Sequence, residues 1–99
     1  MGGAVVVGLM ELSLALYENG SLKAKRSAVK RIIHRTQNKF NVSMAETDEQ
    51  DSTDRAVLGC AVVGNDGRFL RSSLDKIEDF VVQLGLADVL DAPKTIEFY

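Results

Sequence analysis

The sequence predicts an α+β domain in which a four-stranded antiparallel sheet carries two helices on one face. Three observations point there. Several short runs alternate apolar and polar residues, as strands with one buried face do. Two longer segments repeat apolar residues every three to four positions, as amphipathic helices do. Turn signals containing Asn, Asp and Gly separate them.

Residues 4 to 17 form the first predicted strand. Val6, Met10, Leu12, Leu14 and Leu16 share one parity, and Glu11, Ser13 and Tyr17 the other. Asn19-Gly20 marks a turn, and Ser21 is the expected N-cap of a helix over residues 22 to 39. Leu22, Val29, Ile32, Ile33 and Thr36 lie on its apolar stripe, closed by Phe40. Alternation returns over residues 40 to 47, with Phe40, Val42 and Met44 on one side. The polar cluster Asp48 to Ser52 reads as a hairpin loop. Residues 55 to 64 are continuously apolar, which suits a central strand. After Asn65-Asp66-Gly67, a second helix is traced by Phe69, Leu70, Leu74, Ile77, Phe80, Val81 and Leu84, with Gly85 as its stop. A short linker ends at Pro93, and Thr95 to Tyr99 forms the last strand.

The order is βαββαβ with short connections. Right-handed crossovers then put both helices on one face, which is a ferredoxin-like sandwich with its other sheet face open. Ninety-nine residues are expected to make one domain, 1–99, that buries roughly two-thirds of its unfolded surface.

Composition excludes several classes. The single cysteine, Cys60, has no internal disulfide partner, and with His34 as the only other soft ligand it cannot build a zinc site. A reducing, cytoplasmic setting is expected. The apolar start is broken by Glu11 and Ser13 and has no basic residues before it, so neither a signal peptide nor a membrane span is read there. No cofactor motif, no Ser-His-Asp or Cys-His arrangement and no paired carboxylates in an apolar setting stand out, so a non-enzymatic protein is expected. The acids of the predicted hairpin read as a solvated loop rather than a metal site.

Charge is the informative feature. Seven of the twelve basic residues lie between Lys23 and Lys39 with no acid among them, and five of the fourteen acids lie between Glu46 and Asp54. Arg26, Lys30 and His34 are spaced by four, as are Arg31, Arg35 and Lys39. Like charges at that spacing cost roughly 0.2–0.5 kcal/mol per pair. The functional reading is a phosphate-contacting face made by Lys23, Lys25, Arg26, Lys30, Arg31, His34, Arg35 and Lys39. The plainer reading is a solvated face neutralised by Asp75, Glu78 and Asp79 of the second helix. Lys25 falls near the apolar arc, where it must snorkel or precede the helix proper.

Four strings carry a family likeness: Ser21-Leu22-Lys23-Ala24-Lys25-Arg26, Phe40 to Glu46, Val57 to Val63, and Leu84 to Leu90. They resemble the YlxP-type family, small bacterial proteins of ferredoxin-like fold often encoded beside translation and ribosome-maturation factors. The likeness runs from Val5 to about Glu97. It implies a role around RNA or the ribosome, with RNA or a ribosomal subunit as partner. This chain departs from the pattern at Ala24, where the family usually carries Glu.

The open sheet face is the second candidate. One parity of the first strand lies on it, and Val5, Val7, Leu9 and Tyr17 are the expected protein-interface residues. Residues 55 to 64 hold no aromatic on which RNA bases could stack. An aliphatic face of this kind favours a protein contact such as a homodimer.

Overall fold

Alternation in the first strand sets the architecture. A computed structural model describes residues 5–17 and 20–99. Ala4 of the predicted first strand and Asn19 of its turn lie outside them. The chain runs β1 (Val6–Leu16), α1 (Leu22–Lys39), β2 (Ser43–Asp48), β3 (Arg55–Gly64), α2 (Gly67–Gln83), β4 (Ala87–Asp91) and β5 (Lys94–Phe98). All pairings are antiparallel. The sheet order is β2-β3-β1, with β4 and β5 both on the far edge of β1. This is the ferredoxin-like α+β arrangement.

One element differs from the sequence reading. The segment read as a linker before Pro93 contains β4, which pairs Ala87 with Leu16 and Val89 with Leu14. β5 continues along the same edge, pairing Lys94 with Met10 and Phe98 with Val6. The fourth strand is thus one long strand interrupted at Pro93. Proline has no N–H for the ladder, yet its carbonyl still accepts from the Glu11 N–H at 3.1 Å, which holds the two halves in line. Only Ala87 and Val89 mark the inward parity before the break, too short a signal to separate from a loop.

The core lies between the sheet and the helices. β1 contributes Val6, Met10, Leu12, Leu14 and Leu16, and β3 contributes Ala56, Leu58, Cys60 and Val62. The continuous apolar run of β3 therefore resolves into an alternating strand, with Val57, Ala61 and Val63 on the open side. Helix α1 buries Ala28, Val29, Ile32 and Thr36, and α2 buries Leu70, Leu74, Ile77 and Val81. Each fully buried leucine or isoleucine contributes about 1.5–3 kcal/mol. Gly8 lets α2 sit close to the sheet, because a Cβ there would come within 3.1 Å of Leu74 Cδ1.

The helix ends follow local chemistry. The Ser21 hydroxyl accepts from the Ala24 N–H at 3.0 Å, so the predicted N-cap is present. Asp66 caps α2 by accepting from the N–H groups of Arg68 and Phe69. Gly85, at φ 71°, takes the left-handed conformation that ends α2.

Candidate functional site

Helix α1 lays its cations along the side away from the sheet. Lys23, Arg26, Lys30, Arg31, His34, Arg35 and Lys39 are all exposed. Steps of four residues advance about 6 Å along the axis, so Arg26, Lys30 and His34 form one row and Arg31, Arg35 and Lys39 another. No acid of the described residues lies within ion-pair distance of these side chains. Among the described residues no ion pair joins α1 to Asp75, Glu78 or Asp79 of α2, and Lys94 of β5 engages the first two. The Lys94 ammonium is 2.6 Å from Glu78 and 3.2 Å from Asp75. These bonds, that to Glu78 foremost, hold Lys94 above the ordinary lysine range, against the opposing effect of its burial. Lys39 lies over the Phe80 ring at 5.3 Å, which ties the end of α1 to α2.

Lys25 corrects the predicted basic face. It sits at the middle of the buried arc of α1 and has 0% exposure. It neither precedes the helix nor snorkels to solvent. Its ammonium reaches Glu46 of β2 at 2.5 Å and the carbonyls of Glu49 at 2.8 Å and Gln50 at 3.4 Å. A buried ammonium is tolerated only when paired and hydrogen-bonded, and three acceptors meet that need. Lys25 is therefore withdrawn from the phosphate-contacting set. The acidic hairpin is also more than a solvated loop, because it clamps the start of α1. Glu49 takes φ 60°, uncommon for a residue with a side chain, in the turn whose carbonyls receive Lys25. The sequence carried one signal of this contact: a lysine on an apolar arc needs an acceptor, and residues 46 to 54 hold the densest run of acids in the chain.

The open sheet face has the opposite character. Register places Val7, Leu9, Glu11, Ser13 and Ala15 of β1 beside Val63, Ala61, Gly59, Val57 and Arg55 of β3. Thr95 and Glu97 of β5, and Asp88 and Asp91 of β4, complete it on the other edge. Among the described residues, Glu11, Asp48, Asp88, Asp91 and Glu97 face outward here against one base, Arg55. The expected interface residues separate into two places. Val5, Val7 and Leu9 gather at one end with Val63, a neighbour missed in the sequence because the β3 run looked uniformly buried. Tyr17 lies at the far end of β1, roughly 25–40 Å away by strand rise. There its hydroxyl donates to Asp88 at 2.5 Å, which raises its pKa.

Between these ends lies a groove lined by Leu9, Glu11, Ala45, Thr47, Gly59 and Ala61, among others. Its floor is low because the side chains are small. A Cβ on Gly59 would stand 2.8 Å from Thr47 Cγ2, so glycine lets Thr47 lie across β3. Cys60, on the other side of the same strand, is buried, and its desolvated thiol is pushed up to about 12. That is an inert core thiol, as its place in an apolar run suggested. No described helix is long and apolar enough to cross a membrane.

Residues 7–93 match a family described as a protein of unknown function, DUF503. The chain is 38% identical over 76 residues to a Bacillus subtilis (strain 168) protein named Uncharacterized protein YlxP, an overlap covering 77% of this chain and 83% of that one. The likeness read from the four strings is thereby confirmed. Among solved structures the chain is similar to LarC2, the C-terminal domain of a cyclometallase involved in the synthesis of the NPN cofactor of lactate racemase. The TM-score is 0.52 at 12% identity, covering 97% of this chain and 57% of that one. It is similar also to the de novo designed protein Foldit4, with a TM-score of 0.50 at 11% identity and 96% of each chain covered. At such identities these two likenesses concern the fold alone.

Proposed function

The chain belongs to the DUF503 family, and from that premise we propose that it is a non-enzymatic, cytoplasmic RNA- or ribosome-associated binding protein that uses the outer face of α1. The observation carrying this reading is the row of exposed cations Lys23, Arg26, Lys30, Arg31, Arg35 and Lys39, none paired with an acid among the described residues. Mutual repulsion on a helix costs stability, and phosphate groups relieve it. A rigid helix presenting point charges and guanidinium forks positions a nucleic-acid backbone without reading its bases. The open sheet is a poor alternative for RNA, since its described outward charges are mostly acids and its two tyrosines, Tyr17 and Tyr99, stand at opposite ends with their hydroxyls donating to Asp88 and Glu97.

The test is binding of single-stranded RNA, and co-sedimentation with ribosomes and precursor subunits, across a salt series. Affinity should fall by about 0.7 log units per log unit of salt for each phosphate contact. Reversing Arg26, Lys30 and Arg31 to Glu should abolish binding at moderate salt. Salt-independent binding, or binding that survives the triple reversal, overturns the proposal.

The rival reading is a homodimeric module acting through the open sheet face. The exposure of Val5, Leu9 and Val63 favours it. A two-fold interface, however, brings the same acids onto both of its sides. Sedimentation of the free protein decides: a dimer dissociated by Val7→Lys supports this rival.

A further inference from the structure

We propose that the open sheet face docks an extended, lysine- or arginine-bearing segment of a partner protein, with an apolar side chain seated in the groove at Gly59. Three features define the occupant. The groove offers Leu9, Ala45 and Ala61 as apolar walls and a low floor at Gly59, about 430 Å³ in all. Glu11 pairs directly with Gly59 across the strands and lines the same groove, exposed to solvent. Glu97, opposite Val7 beyond the groove's end and accepting from the Tyr99 hydroxyl at 2.6 Å, adds a more distant acid on the same face. An occupant must therefore present a cation to Glu11 and an apolar group to the groove from the same side of its backbone, as an extended segment with a basic and an apolar residue two positions apart does.

A second copy of this chain fits less well. Its cationic surface is the face of α1, whose exposed residues are polar throughout and leave Leu9 and the groove uncovered. Such head-to-tail contacts also fail to close into a defined oligomer unless the rotation happens to close a ring. A partner's extended segment meets both requirements at once. The inference is independent of the RNA reading, since it concerns the opposite side of the molecule.

The experiment uses the whole chain and a labelled short peptide in which lysine and leucine alternate at every second position with serine between them, read by fluorescence anisotropy, with amide chemical shifts to locate it. A glutamate–leucine peptide serves as control. The lysine peptide should bind, the glutamate peptide should not, and the shifts should fall on β1 and β3. Glu11→Lys should weaken binding about tenfold or more, because reversal turns attraction into repulsion. Leu9→Ser should weaken it through the apolar wall, while Arg26→Glu on α1 leaves it unchanged. Equal binding by both peptides, indifference to Glu11→Lys, or shifts confined to residues 48 to 54 overturns the proposal. Self-association of the free chain that Glu11→Lys abolishes also overturns it, by making a second copy the occupant.

Discussion

The outer side of α1 and the open face of the sheet are built from the same stock of residues, yet they carry opposite charge. On α1 the outward positions are basic, and three acids of the described residues on the helical side are engaged elsewhere. Glu46 is held by Lys25, while Glu78 and Asp75 are held by Lys94. On the sheet the described outward positions are small, aliphatic or acidic apart from a tyrosine at each end, and Arg55 is the lone base among them. Two internal lysines thus maintain the division. Each consumes acids on the helical side that would otherwise mute the field of α1. The lesson is that a lysine's position on the helix wheel outweighs its place in a basic run. Lys23 and Lys25 are two residues apart, but one meets solvent and the other is sealed in the core.

Lys25→Ala is the severest way to break this division. It leaves Glu46 and two carbonyls without their donor, and removing one partner of a buried pair costs about 3–5 kcal/mol. Glu46 retains 18% side-chain exposure, so water recovers part of its solvation and the expected loss is near the lower end, about 3 kcal/mol. Urea denaturation should show it as a lower midpoint with an unchanged slope. RNA affinity of the folded protein should stay close to that of the parent. A loss below about 1 kcal/mol, or a fall in affinity matching that of Arg26→Glu, would restore Lys25 to the outer face.

Lys94→Met attacks the second clamp and should cost less, on the order of 1 kcal/mol, because Asp75 is 58% exposed and its pairing is screened by solvent. Its pH dependence has a definite sign. The native pKa of Lys94 is raised above 10.5. Its contribution is therefore fully present below the unfolded value and is lost as pH rises through the native one. Denaturation midpoints of parent and variant should differ at neutral pH and converge in the alkaline range above 10.5. A difference that persists there would assign the cost to packing of the lysine stem rather than to its charge.

Most of the fold was readable because each element declared its own period. The parity of Val6, Met10, Leu12, Leu14 and Leu16 located the buried face of β1, and Ser21, Asp66 and Gly85 bounded the helices. What escaped depended on contacts between elements. β4 has two inward apolar positions before Pro93, and only its ladder with β1 makes it a strand. Glu46 looks like one more acid of a polar loop until α1 brings Lys25 over it. Val63 looks like core until register sets it beside Val7 on the uncovered face. The groove at Gly59 needs four strands in place before it exists at all. The exposed cations of α1 were legible because helical spacing alone separates inside from outside. Lys25 violated that rule, and its violation was the clue to a buried pair.

The smallest expected effect concerns the first turn of α1. Ser21 caps it, but no acid stands in the turn, and Ala24 occupies the third helical position. A glutamate there, the residue the family resemblance leads one to expect, would reach back to the Ser21 N–H and complete a capping box. It would also place a negative charge at the positive end of the helix dipole. Ala24→Glu should therefore raise stability by about 0.5–1 kcal/mol, seen as a higher urea midpoint. The same charge lies next to Lys23 and should lower RNA affinity slightly and flatten its salt dependence. The two readouts moving in opposite directions would show that this chain's start of α1 favours cationic reach over helix stability. If stability falls instead, the half-buried site cannot accept the longer side chain, and packing against the hairpin clamp, rather than charge, accounts for alanine at this position.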